Sequence, residues 1–183
     1  MKTFIVGLLV GVFIVPILVF VYFVSGRAPV ATSAAPLPFE RVLANGALHA
    51  RIDREMPKNV PIPADESAYV AGAQIYRDDC AVCHGAPNSG STAIAEGMFP
   101  RPPQLFKGKG VTDDEPGETY WKVANGIRLT GMPAFNKSLT DTQMWQVSLL
   151  LANADKLPDS ARQALQPASS LMMSPGSSPN GTK

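Results

Sequence analysis

The only cysteines of the chain, Cys80 and Cys83, are followed directly by one of its two histidines, His84. A Cys-x-x-Cys pair can form a disulfide, bind zinc, act as a thioredoxin-like redox pair or, with a following histidine, attach a c-type haem. Zinc fits poorly, because the only further histidine is His49 and His84 lies next to Cys83 instead of a few residues away. A redox pair is usually found in a βαβ context, whereas a helical pattern precedes Cys80.

Haem attachment explains the spacing of this motif best. Thiols three positions apart, on the turn that ends a helix, can form thioether bonds to the two vinyl groups of one porphyrin. His84 then binds the iron through one ring nitrogen, while a hydrogen bond to the other nitrogen determines the tautomer. We therefore predict one covalently attached haem c held by Cys80, Cys83 and His84.

A six-coordinate iron needs a second axial ligand, and methionine sulfur raises the reduction potential relative to a second histidine. Among the seven methionines, Met132 lies in the irregular segment TGMPAF, which can place a sulfur against the ring. Met98 is the second candidate, but it follows His84 closely in the chain. His49 would give a bis-histidine site, although a surface position suits it better. We predict that Met132 binds the iron.

Helical patterns surround these residues, and the 17 prolines and 15 glycines favour irregular loops over strands. Asp65 can cap a helix that leads into Cys80, and a shorter helix is predicted from Glu118 to a stop at Gly126. Thr140 and Gln143 form a capping box before a third helix. The expected fold class is all-α, with three main helices and irregular loops.

Residues 4–24 carry no charged side chain, and about 20 apolar residues suffice to cross a bilayer as a helix. We predict a membrane anchor at residues 1–27, retained because no cleavage site follows the apolar run closely. Residues 28–64 read as a Pro/Ala-rich tether with a short helix, residues 65–157 as the folded domain, and residues 158–183 as a disordered Ser/Pro-rich tail. The net charge of +1 argues against a nucleic-acid partner.

Residues 65–157 resemble a class I cytochrome c. The resemblance rests on the haem motif together with Gly72, Tyr76, the segments RPPQL and NGIRLTGMPAF, and Trp145. In that family a small residue and an aromatic residue form the close contact between the two terminal helices. A proline carbonyl there accepts a hydrogen bond from the proximal histidine, and Pro103 matches it best, with Pro102 as the alternative.

The resemblance implies a single-electron carrier and no catalytic site of its own. Haem attachment of this kind takes place outside the bacterial cytoplasmic membrane, so the N-terminus would lie inside and the haem domain in the periplasm or at the cell exterior. The expected partners are membrane-bound donors or acceptors of a respiratory chain or dehydrogenase, with the chain as a free carrier or as a complex subunit. The alternative is a ligand sensor or a catalytic haem protein whose Met132 leaves the iron.

Overall fold

Helices alone form the regular secondary structure of residues 2–107 and 114–166, the part of the chain that this computed structural model describes, and the predicted all-α class is confirmed. A π-helical turn, Tyr76–Cys80, lies between the third and fourth helices. The helices are α1 (Lys2–Val24), α2 (Glu40–Glu55), α3 (Glu66–Ile75), α4 (Ala81–His84), α5 (Ala93–Glu96), α6 (Pro116–Asn125), α7 (Asp141–Ala152) and α8 (Asp159–Ala164).

The chain divides into two compact units, Met1–Arg41 and Val42–Lys183. In the first unit, α1 covers the uncharged N-terminal run. Among the helices as far as the structure describes them, none combines the length and apolarity of a membrane span.

The second unit begins earlier in the chain than the predicted boundary at residue 65. Ile52 of α2 is 1% exposed, and the indole nitrogen of Trp121 donates a hydrogen bond to Glu55 Oε2 at 3.2 Å. The backbone of Pro57 lies so close to Gly117 that any Cβ there would overlap with it. The end of α2 and Pro57 therefore lie against α6, so this part of the predicted tether contacts the folded domain.

Two of the three main helices begin, and the third ends, at residues that the sequence indicates. Asp65 accepts the backbone N–H of Ala68 at 2.9 Å at the start of α3. Thr140 and Gln143 form the reciprocal capping box of α7. Gly126 ends α6 with a φ of +65°, a left-handed conformation that glycine adopts without steric cost. These local signals confirm the predicted helices.

The core lies where α3 and α6 pack on α7. A Cβ at Gly72 of α3 would overlap with the carbonyl oxygen of Gln146 and would lie 3.1 Å from Leu150 Cβ. The predicted close contact of the terminal helices is therefore present, although the nearest neighbours of Gly72 are Gln146 and Leu150 and not Trp145. The Trp145 ring instead stacks on Tyr120, with ring centroids 4.2 Å apart.

The predicted disordered tail is wrong for its first residues, because α8 packs on α3. Leu157, Ala161 and Leu165 are 3% exposed or less, at a spacing that places them on one helical face. Arg77 Nη1 also donates a hydrogen bond to the carbonyl oxygen of Ala164 at 3.2 Å. The apolar stripe is short and surrounded by Ser and Pro residues, so the residue composition of this segment does not indicate a packed helix. Residues 167–183 lie outside the described part of the chain.

Replacing Leu165 by alanine tests whether α8 stabilises the domain. We expect the free energy of unfolding to fall by about 2–3 kcal/mol, because truncation of the buried Leu165 side chain leaves a cavity. Leu129→Ala is the matched control, since Leu129 is 92% exposed and its truncation should change stability by less than about 0.5 kcal/mol. Denaturant unfolding of the haem-loaded protein measures both. Equal stability of the two variants would restore the tail interpretation for residues 158–166.

Candidate haem-attachment site

The motif lies on a short helical turn that is held at both ends. The π-helical turn ends at Cys80, α4 carries Cys83 and His84, and Gly85 stops the helix with a φ of +76°. The buried hydroxyl of Tyr76 donates a hydrogen bond to the carbonyl oxygen of Gly85 at 2.7 Å. Because this bond joins the start of the π-helical turn to the residue after His84, the loop around the motif is closed. The sequence pattern does not reveal this role of Tyr76.

Both cysteines are free and half-buried, separated by less than one helical turn. Burial, the carboxylate of Asp79 and the thiol of Cys83 raise the pKa of Cys80 to about 12, so this thiol is protonated at neutral pH. The structure therefore presents two thiols on one turn, as attachment to a single porphyrin requires. Nowhere in residues 2–107 and 114–166 do three His, Cys, Asp or Glu side chains meet in a way that could hold a metal ion, so these residues give the zinc alternative no support.

The imidazole of His84 is oriented by a proline carbonyl. His84 Nδ1 lies 2.8 Å from the carbonyl oxygen of Pro103, which can only accept, so Nδ1 carries the proton. Of the two prolines left open by the sequence, the contact is made by Pro103 and not by Pro102. Burial lowers the pKa of His84, although the bond to Pro103 opposes this shift. The neutral ring thus keeps Nε2 free as a metal ligand.

The segment that carries Met132 is held by its own short-range hydrogen bonds. The backbone N–H of Met132 donates to Thr130 Oγ1 at 3.1 Å, and its carbonyl oxygen accepts the N–H of Ile127 at 3.1 Å. A Cβ at Gly126 would lie 2.7 Å from both Pro133 C and Ala134 N, so only glycine allows the segment to approach α6 this closely. Met132 itself is half-buried and packs against the core.

The remaining methionines separate clearly by environment. Met144 is 5% exposed in the core, and Met56 is half-buried at the end of α2. Met98 is half-buried and contacts Gly131, so it lies beside the Met132 segment. Met172 and Met173 lie outside the described residues. This adjacency of Met98 and Gly131 joins segments far apart in the chain, and no local sequence signal indicates it.

His49 is exposed on α2 and lines a shallow pocket of about 330 Å³ with Ile52, Asp53, Asp114 and Glu118. None of the motif residues lines this pocket. The structure therefore gives the bis-histidine alternative no support.

The donor set fits a covalently attached haem. Two free thiols lie beside an imidazole whose Nδ1 is engaged by a carbonyl, and a thioether sulfur is available at Met132. Protein contacts bury few residues in the loop that follows the motif and in the loop that contains Met132. Among residues 86–107 only Ala95 is buried, and none is buried among residues 127–139. These loops can therefore accept an apolar group that contributes to the core.

Comparison with known proteins agrees with this geometry. Residues 67–149 match the family model described as cytochrome c oxidase, cbb3-type, subunit III. A cbb3-type cytochrome c oxidase subunit CcoP from Azospirillum brasilense is 30% identical over 89 residues, which cover 49% of this chain and 29% of that protein. The chain therefore corresponds to less than a third of the length of this relative.

A solved structure, the reducing HAO-like protein complex of Kuenenia stuttgartiensis, contains a chain that is 26% identical to this one. The match covers 52% of this chain and 47% of that chain, with a TM-score of 0.46.

The family match and the Azospirillum relative identify the protein class: this chain contains a c-type cytochrome domain of the class I type. More particularly, residues 67–149 of this domain are similar to the family described as cbb3-type subunit III. Such a domain implies a covalently bound haem c with its iron.

Proposed function

We propose that this chain is a membrane-anchored, mono-haem c-type cytochrome that transfers single electrons between respiratory-chain or dehydrogenase partners. The observation that carries the proposal is the bond between His84 Nδ1 and the Pro103 carbonyl at 2.8 Å, beside the free thiols of Cys80 and Cys83. This arrangement orients a neutral imidazole next to two attachment points. It is the arrangement that a proximal iron ligand requires.

Each residue of the site has a distinct role in the proposal. Cys80 and Cys83 would hold the porphyrin through thioether bonds, while His84 Nε2 and Met132 Sδ would bind the iron. The Pro103 carbonyl fixes the tautomer of His84 and increases its basicity as a ligand. Bound haem supplies a one-electron change between ferric and ferrous iron, whose potential depends on the axial ligands. Because these two ligands would leave no iron position open to a substrate, we propose an electron carrier and not an enzyme.

We propose one haem for this sequence, since its two cysteines both belong to one motif. The name of the Azospirillum relative describes a subunit of an oxidase, and that of the Kuenenia structure describes a complex. By analogy with the oxidase subunit, we propose that this chain delivers electrons to a larger assembly, as a free carrier or as one of its subunits.

The membrane anchor in this proposal rests on the sequence of α1. Residues 4–24 lack charged side chains, and the described large side chains from Val12 to Val24 are exposed around the whole helix. A helix that is apolar on all sides is suited to a lipid environment. Since c-type haem is attached outside the bacterial cytoplasmic membrane, we propose an inner N-terminus and a periplasmic or external haem domain.

Replacing Met132 by alanine tests the iron ligation. We expect the far-red absorption band that reports iron–sulfur bonding to disappear, and the reduction potential to fall by on the order of 100 mV, because methionine raises the potential. The reduced variant should bind carbon monoxide rapidly, whereas the unmodified protein should not. Visible spectroscopy and a redox titration measure these changes.

Met56→Ala serves as the control, because Met56 is half-buried but lies at the end of α2. It should keep the band and the potential of the unmodified protein. Rapid carbon monoxide binding by the unmodified reduced protein would contradict electron carriage and favour a ligand sensor or a catalytic haem.

A further inference from the structure

The side chain of Met98 occupies the space beside Gly131 that a Cβ at that position would take. An ideal Cβ at Gly131 would overlap with Met98 Cε and would lie 3.3 Å from its sulfur. Gly131 directly precedes Met132, the proposed iron ligand. Met98 therefore contacts the segment that must hold the ligand in place.

Met98 reaches this position from the segment that follows the haem motif. Thr92 Oγ1 donates to the carbonyl oxygen of Val82 at 2.7 Å and accepts the N–H of Ala95 at 3.1 Å, which ties α5 to the motif turn. Ala95 is 2% exposed, and the N–H of Met98 donates to its carbonyl oxygen at 3.3 Å. A continuous set of contacts thus runs from Val82, within the motif, to Met98.

The Met132 segment has hydrogen bonds on both sides of Gly131. Thr130 Oγ1 donates to Ile127 O at 2.7 Å and accepts the N–H of Met132. These bonds define the backbone of the turn, but neither of them involves Gly131 itself, which is exposed. Packing by Met98 is the contact that limits displacement of Gly131 in that direction.

We infer that Met98 is a positioning residue that packs on Gly131 and restrains the Met132 segment, so that the Met132 sulfur is not displaced from the iron by external ligands. The inference rests on the proposed function, in which Met132 binds the iron. Met98 itself acts through Gly131 and does not bind the metal. Its flexible thioether chain suits a gap of irregular shape.

Imidazole binding to the ferric protein measures how easily the Met132 sulfur is displaced. The interaction free energy between two residues in direct contact changes an equilibrium constant by a few-fold up to about a hundredfold. We therefore expect Met98→Ala to bind imidazole about tenfold more tightly than the unmodified protein at one fixed pH, with the far-red band retained in the absence of imidazole. Met98→Leu conserves most of the side-chain volume, so its imidazole affinity should be close to that of the unmodified protein. Met56→Ala, a half-buried methionine elsewhere, should leave the affinity unchanged.

A double-mutant cycle separates this contact from general destabilisation. Gly131→Ala introduces a Cβ that overlaps with Met98 Cε, so the flexible end of the Met98 side chain must leave its place on Gly131. Loss of that packing should weaken retention of Met132. Gly131 does not have a positive φ, so its backbone accepts alanine. In the double variant Met98→Ala, Gly131→Ala, the new methyl group occupies the space that Met98 vacates. Its imidazole affinity should lie closer to that of the unmodified protein than either single variant does.

The outcomes distinguish this inference from the proposed function. If the unmodified protein lacks the far-red band, methionine ligation fails and the proposed function fails with it. If the band is present but Met98→Ala binds imidazole within about twofold of the unmodified protein, or the effects of the two substitutions simply add, the inference alone is overturned. If Met98→Ala abolishes the band while Met132→Ala retains it, Met98 is itself the ligand, and the assignment of Met132 is also overturned.

Discussion

Serine substitution of both Cys80 and Cys83 will leave the second unit of the chain largely unfolded, with most of its helical signal lost. A domain whose protein contacts leave long loops unburied has a small polypeptide core, and a covalently bound apolar group can supply the rest. Among residues 86–107 and 127–139, only Ala95 is buried by protein contacts. The attached porphyrin is expected to supply the apolar contacts of these loops, so its loss removes a large part of the core.

Circular dichroism of the purified variant, produced in cells competent for c-type haem attachment, measures the effect. Val82→Ser is the matched control, because Val82 lies between the cysteines, is 48% exposed and receives the same new side chain. It should retain covalent haem and native helix content. Native helix content in the double cysteine variant would show that the polypeptide core is sufficient by itself.

A second large effect is expected from Gly72→Ala at the crossing of α3 and α7. The added Cβ overlaps with the Gln146 carbonyl oxygen and lies 2.7 Å from the carbonyl carbon. These are backbone atoms of a helix and cannot move aside like a flexible side chain. Forced overpacking of a core costs typically about 1–3 kcal/mol and occasionally more. We expect a loss of about 3 kcal/mol, which exceeds the gain of about 1 kcal/mol in helix propensity.

Gly46→Ala provides the matched control, since Gly46 lies in α2 and has no atom within 4 Å of an added Cβ. The same change in helix propensity applies there without the clash, so stability should stay equal or rise by up to about 1 kcal/mol. Denaturant unfolding of the haem-loaded proteins compares the two variants. If Gly72→Ala were as stable as the unmodified chain, α3 and α7 could not cross as closely as the structure shows.

Several elements were predictable because their signals are local. Asp65, the Thr140 and Gln143 capping box, and Gly126 each act on backbone groups within a few residues, so their neighbours in the chain suffice to define the helix ends. The same holds for the motif itself, whose two thiols and imidazole share less than two helical turns. These features and the all-α class follow from the sequence by itself.

The tertiary structure alone decided the contacts that join distant segments. Pro102 and Pro103 are indistinguishable in sequence, and only the approach of the loop to His84 places the Pro103 carbonyl at Nδ1. Likewise, α8 carries too few apolar residues to stand out from a Ser/Pro-rich composition, yet Leu165 is buried once α3 is beside it. The packing of Met98 on Gly131 is of the same kind. Burial and long-range packing depend on which surfaces meet after the chain folds, and linear spacing does not encode that choice.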